Sequence, residues 1–185
     1  MRRLIYSMGV SLDGYIADPA GGIDWSAPDE ELHRFHNDQM RDVDVHLCGR
    51  RLYETMLYWE TADQDPHLSE HELEFARIWQ GIRKVVLSST LDSVIGNATL
   101  LRSGLVEVLA RLKQQPGRDL AVGGAALAST LVEQRLIDDY RLFVSPVVLG
   151  GGTPYFPSLE SALDLELEET RVFGSRVVYL RYLNA

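Results

Sequence analysis

The chain has 185 residues, 45% hydrophobic and 24% charged, a balance that suits one globular domain over residues 1–185 and excludes disordered, collagen-like or disulfide-framed chains. A formal net charge of −9 disfavours broad contact with nucleic acid or an anionic membrane, so an anionic ligand needs locally placed arginines. No stretch is apolar over a bilayer-spanning length, Met1-Arg2-Arg3 runs straight into strand-like sequence, and Cys48 is the sole cysteine; a cytoplasmic protein without disulfides is expected.

Residues 3–10 are rich in β-formers and predict a first strand, with Asp13-Gly14 marking a turn and Asp18 to Gly22 a loop. Ser26 with Asp29 three residues on, and Pro28 between them, predicts a capping box opening a helix with Leu32, Phe35 and Met40 along one face. Strand 43–48 breaks at Gly49, and residues 50–56 read as a helix. A second capping box, Ser69 with Glu72, starts a helix carrying Leu73, Phe75, Ile78 and Trp79.

Strands follow at 82–87 and 98–101, then a helix through Leu105, Leu109 and Leu112 that Pro116-Gly117 stops. Strand 119–122 breaks at Gly123-Gly124 before a helix over 125–135. Residues 140–148, 163–167 and 176–182 read as strands, the last two antiparallel. The alternation over the first 135 residues predicts helices packed on a mostly parallel sheet, with antiparallel strands added at the C-terminus.

In an open α/β sheet, ligands bind beyond the carboxyl ends of the strands. Three of those ends carry what a phosphate needs: Gly49-Arg50-Arg51, Ser88-Ser89-Thr90, and Gly123-Gly124 at a helix start. Each has a bland explanation as a turn or a solvated charge; their joint placement points to a dinucleotide. There is no G-x-G-x-x-G after the first strand and no G-x-x-x-x-G-K-[ST], which argues against a Rossmann domain and a P-loop nucleotidase.

The histidine pairs His33/His36 and His67/His71 have helical spacing but no H-E-x-x-H order, so surface helices explain them and no metal is expected. Cys48 in its apolar run reads as a small buried hydrophobe. Trp79 reads as core, whereas Trp25 and Trp59 sit beside loops, where either could stack on a flat heterocycle.

Five segments in order carry a resemblance: Ser-Leu-Asp-Gly-Tyr-Ile-Ala (11–17), Gly-Arg-Arg-Leu-Tyr-Glu-Thr (49–55), Leu-Ser-Ser (87–89), Val-Gly-Gly-Ala-Ala-Leu (122–127) and Asp-Asp-Tyr-Arg-Leu-Phe-Val-Ser-Pro-Val-Val-Leu-Gly-Gly-Gly (138–152). The chain resembles the dihydrofolate-reductase-like superfamily, and within it the reductase domain of the riboflavin-biosynthesis deaminase/reductase. The resemblance implies a three-layer α/β sandwich, a mixed sheet of about eight strands flanked by helices on both faces, binding NADPH across its middle. It places Met8, Gly9, Ile16 and Ala17 at the nicotinamide, Gly49, Arg50 and Arg51 near the adenosine phosphates, Leu87, Ser88 and Ser89 at the 2′-phosphate, and Val122, Gly123, Gly124, Ala125 and Ala126 at the pyrophosphate.

Leu52 stands where the family often has a threonine that could donate to phosphate, and the zinc deaminase motif H-x-E with P-C-x-x-C is absent. The activity so implied is hydride transfer to a C=N or C=O bond of a heterocyclic or sugar-linked substrate. A folate-type reductase and a non-catalytic NADP(H)-binding dimer are the alternatives. By likeness to folate reductases, Glu31 is the candidate cleft acid among Asp29, Glu30 and Glu31, although acidic residues favour the first turn of any helix through its dipole. The family also makes a homodimer the expected assembly.

Overall fold

The structure, a computed structural model, describes residues 1–185. Ten strands and five α-helices form in this order: β1 (Leu4–Ser11), β2 (Tyr15–Ala17), α1 (Glu30–Arg41), β3 (Val43–Gly49), α2 (Arg50–Met56), α3 (Glu70–Gly81), β4 (Arg83–Leu87), β5 (Ala98–Leu101), α4 (Leu105–Gln114), β6 (Asp119–Gly123), α5 (Ala125–Glu133), β7 (Asp139–Ser145), β8 (Thr153–Pro154), β9 (Leu165–Val172) and β10 (Val178–Asn184). Eight strands make one sheet in the order β5-β4-β3-β6-β1-β7-β10-β9. β1, β3, β4, β5, β6 and β7 run parallel, while β10 and β9 are antiparallel. The mostly parallel α/β sandwich with antiparallel C-terminal strands is as expected.

Alternating side chains on each strand feed two layers of helix. Ile5, Val43, Ile82 and Ala121 pack under Met40 of α1 and Ile78 of α3, while Leu4, Leu47 and Leu120 face Leu109, Leu112 and Leu131 of α4 and α5. Strands covered on both faces are mainly apolar, with Asp44, His46 and Lys84 as exceptions, which explains why their sequences read as largely hydrophobic runs.

Helix starts follow their caps. Ser69 and Glu72 form the expected capping box at α3, but α1 is capped by Asp29, whose carboxylate accepts from the Leu32 N–H at 2.9 Å. Ser26 instead closes a 3₁₀ turn over Asp24–Ser26, its hydroxyl donating to the Ile23 carbonyl, so the helix begins three residues later than that box implies. Pro28 suits this placement: its missing N–H costs nothing before a helix starts.

Two of the five motifs turn out to clasp the fold. Asp13 accepts from the Leu149 and Gly150 N–H groups at 3.1 and 2.7 Å and from the Ser11 hydroxyl at 2.7 Å, tying the end of β1 to the glycine-rich segment after β7. The same clasp pairs β2 with β8 in a small second sheet that periodicity over such short segments cannot reveal. Gly152 sits at φ 129, where a Cβ would collide with the Ala17 carbonyl.

Candidate functional site

Parallel strands put all their carboxyl ends on one edge. Register aligns Gly49 with Leu87 and Cys48 with Gly123, and β1 lies beside β6. The ends of β4, β3, β6 and β1 are therefore consecutive along that edge, about 14 Å from first to last at the usual strand spacing. Along it stand Ser88, Gly49, Gly123-Gly124 and then, inside β1 but level with the end of β6, Met8-Gly9.

At the β4 end lies an open groove of about 720 Å³ lined by Arg50, Leu87, Ser88, Ser89, Thr90 and Arg102, with Gly104 and Thr130 on its walls. Arg50 reaches it by donating to the Glu54 carboxylate and the Thr90 hydroxyl, both at 2.8 Å. Arg102 donates to the Ser88 carbonyl at 3.2 Å. Ser88 itself is buried, and its hydroxyl accepts from the Thr90 and Leu91 N–H groups, shaping the turn. Two guanidiniums and the hydroxyls of Ser89 and Thr90 among others, with Glu107 the one carboxylate on the lining, suit a phosphate dianion in a protein of net charge −9.

The next stretch of edge is bare backbone. Gly124 has φ 98, and a Cβ there would stand 3.4 Å from the Gly49 nitrogen. At Gly123 a Cβ would meet the Leu52 side chain and the His46 ring. The two glycine turns thus approach so closely that only glycine keeps their amides open beside the start of α5. These donors suit the phosphate of a ligand laid along the edge.

At the β1 end, between the sheet and α1 and α3, is a cavity of about 570 Å³. Ser7, Met8 and Gly9 line it from β1, His33, His36 and Met40 from α1, His71, Glu72 and Phe75 from α3, with Met56, Trp59, His46 and Arg141 completing the walls. Burial drives the imidazoles of His36 and His46 down to about 4 and lowers His33 too, with His71 nearby adding to the shift at His33. The Glu72 carboxyl is lowered by bonds from the Ser69 hydroxyl and N–H. No three His, Cys, Asp or Glu side chains converge on a metal-binding geometry.

Beneath the cavity Asp139, fully buried, receives Arg141 through Nε at 3.1 Å and Nη2 at 2.9 Å and Arg181 through Nε at 3.0 Å and Nη2 at 2.8 Å. Burial raises the Asp139 carboxyl, and the hydrogen bonds and charges of the two arginines outweigh it, leaving it below its usual value.

Of the expected site residues, Arg50, Leu87, Ser88 and Ser89 meet in the groove, Gly49 and Gly123 to Ala126 form the bare turn, and Met8, Gly9, Val122 and Trp59 border the cavity. Others are elsewhere. Arg51 is exposed outside the groove, because on a helix the residue next to Arg50 points about 100° away. Ile16 is turned into the core, and Ala17 pairs with Thr153.

Glu31 does not face the cavity. It is exposed and held by Arg171 at 3.0 Å and by the Gly174 N–H at 3.1 Å, bracing α1 against the β9–β10 turn. Trp25 donates to the Gly22 carbonyl and is absent from the cavity wall. The histidines depart most from expectation: His33, His36 and His71 point inward where surface helices were expected. Arg102, Ser103 and Gly104 were missed, though the strand ending at Leu101 directly before them was a signal.

Among known proteins, YyaP of Bacillus subtilis (strain 168), carried as an uncharacterized protein, is 31% identical over 182 residues, covering 98% of this chain and 94% of that one. A crystal structure from Shewanella sp. PV-4 named for riboflavin biosynthesis is 26% identical with a TM-score of 0.76, covering 100% and 99% of the two chains. Dihydrofolate reductase from Enterococcus faecalis, solved with NADP(H), shares the fold at a TM-score of 0.63 and 16% identity, over 98% and 96%. The family profile described as the RibD C-terminal domain matches residues 2–179, the whole sheet up to the start of its last strand, and the chain belongs to that family.

Proposed function

We propose that this protein is an NADPH-dependent reductase that passes hydride to a C=N or C=O bond of a heterocyclic substrate, in the manner of the pyrimidine reductase of riboflavin biosynthesis. The observation that carries this reading is the run of adjacent strands from a two-arginine groove, past bare glycine amides, to Met8-Gly9 on the wall of the cavity. The likeness to the NADP(H)-bound enzyme speaks to fold, so the donor set bears the weight of the cofactor assignment. NADPH, when bound, supplies the hydride.

The chain's own residues do the rest. Arg50, Arg102, Ser89 and Thr90 would grip the 2′-phosphate, the amides of Gly123 to Ala125 the pyrophosphate, and Met8-Gly9 would hold the reactive ring flat against the cavity mouth. Phe75, Trp59, Met40 and Met56 keep that cavity largely apolar and exclude water from the reacting face.

Arg50→Ala is expected to weaken NADPH about tenfold while leaving NADH nearly unchanged, as titrated by the quench and blue shift of the reduced nicotinamide fluorescence. Equal weakening of both would contradict the 2′-phosphate assignment. No NADPH binding at all would reject the reductase and the non-catalytic NADP(H)-binding alternative together; binding without turnover on any heterocyclic acceptor would favour the latter.

A cytoplasmic homodimer completes the proposal. β9 is an edge strand with Leu167 and Val172 more than half exposed, an apolar row that a second copy would cover. Light scattering is expected to read twice the 20.8 kDa chain mass, and a monomer across the micromolar range would refute the dimer.

A further inference from the structure

The groove accounts for a dinucleotide and leaves open what enters the cavity. Resting on the reductase reading, we infer that Arg141 anchors the acceptor, and that the acceptor is a flat heterocycle bearing one carboxylate and no phosphate ester.

Arg141 spends only part of its donor set inside the protein. Nε and Nη2 are committed to Asp139, while Nη1 makes no hydrogen bond. The side chain is 10% exposed, and the cavity is the space it borders. Nη1 is not among the buried polar atoms that lack a partner: it opens on the cavity, where a ligand oxygen can take its N–H groups. Asp139 also divides its single charge between Arg141 and Arg181, which leaves Arg141 less than fully compensated.

The other wall groups limit the ligand. Arg141 is the one lysine or arginine bordering the cavity, and the one carboxylate there is Glu72. Burial keeps His36 and His46 uncharged at neutral pH. A phosphate dianion wants several cationic or amide donors around it and would here meet one spare guanidinium edge and a carboxylate. The edge-on pair Trp59 and Phe75, centroids 4.8 Å apart, with Met40 and Met56 beside them, forms an apolar slot suited to a ring. Phosphate recognition is concentrated in the other groove, at Arg50 and Arg102.

The test is a calorimetric titration of the cofactor-free protein with three related probes: uracil, orotate (the same ring with a carboxylate) and uridine 5′-monophosphate. Orotate is expected to bind at least about tenfold more tightly than uracil, and uridine 5′-monophosphate no more tightly than uracil. In Arg141→Gln the orotate advantage should vanish while uracil affinity stays unchanged; Arg141→Lys, with charge but no fork, should recover part of it. Asp139 keeps both bonds to Arg181 in these variants, and the wild-type ranking decides the matter even if one of them unfolds.

Orotate no tighter than uracil, a preference for the phosphate ester, or an orotate advantage that survives Arg141→Gln would each overturn the anchor. A parallel NADPH titration reads the groove separately. Lost NADPH binding with intact orotate selectivity sinks the reductase reading alone, and the converse sinks the anchor alone.

Discussion

Acidification from pH 7 to pH 4 is expected to strip about 6 kcal/mol from the folding stability, most of it between pH 6.5 and pH 4. The cause is His36, half-buried on the cavity wall, and the buried His46, each lowered from 6.5 to about 4, mainly by removal from water. His33 adds to the shift at His36, and Lys84 adds to that at His46. A depressed imidazole means that the unfolded chain takes up protons over this window while the folded chain refuses them, so stability falls as pH drops.

Each shift of about 2.5 units corresponds to about 3 kcal/mol, and the total rivals the whole stability of an ordinary domain. Urea denaturation at pH 7, 6, 5 and 4 checks this. A midpoint unchanged down to pH 4.5 would contradict it. His46→Gln should flatten roughly half of the slope, because a glutamine at that site does not titrate.

The second large effect concerns Asp139. Asp139→Asn is expected to destabilise the fold by about 3–5 kcal/mol, since Arg141 and Arg181 then share a nearly buried site with no counter-charge. The amide can still accept, but it can satisfy neither guanidinium fork in full. The wild-type carboxyl is depressed below its usual value, so its contribution is complete above the unfolded value near 3.8 and disappears as pH falls through the lower folded one. That loss sits below the histidine window and adds to the acid unfolding the histidines begin. Chemical denaturation of the variant at pH 7 gives the magnitude, and a change under about 1 kcal/mol would show that Arg141 and Arg181 need no partner.

Much of the fold was legible because local rules and tertiary demands agreed. Strands β3, β4 and β6 were readable as mainly apolar runs ended by Gly49, by Ser88-Ser89 and by Gly123-Gly124, since strands covered on both faces hold few polar positions, here Asp44, His46 and Lys84. Ser69 with Glu72 announced α3 for the same reason: the cap is a purely local interaction. The start of α1 was misplaced because Ser26 and Asp29 both carry capping side chains, and only the path of the 3₁₀ turn at Asp24–Ser26 chooses between them. The C-terminal strand ends drifted by two to five residues, as expected where a solvent-facing strand such as β9 has few buried positions to mark its register.

The cofactor edge and the cavity differ in what makes them readable. Phosphate-holding groups cluster within a few residues of a strand end, so Gly49-Arg50, Ser88-Ser89 and Gly123-Gly124 were visible one segment at a time. The cavity is assembled from six separate stretches, and nothing local says which face of α1 or α3 it claims: Glu31 was expected inward and faces Arg171, while His33, His36 and His71 were expected outward and face the cavity.

The amino-acid order alone determined the class of fold, the order of the five helices and of the eight strands of the main sheet, and the strand ends that carry phosphate-type donors, because hydrophobic period and turn chemistry act over a few residues. Only the tertiary structure decided that Arg102 joins Arg50, that three histidines turn inward, and that Arg141 and Arg181 converge on one buried carboxylate. Those outcomes depend on how a helix rotates against the sheet and on which strands become neighbours, contacts made across up to a hundred residues or more of chain.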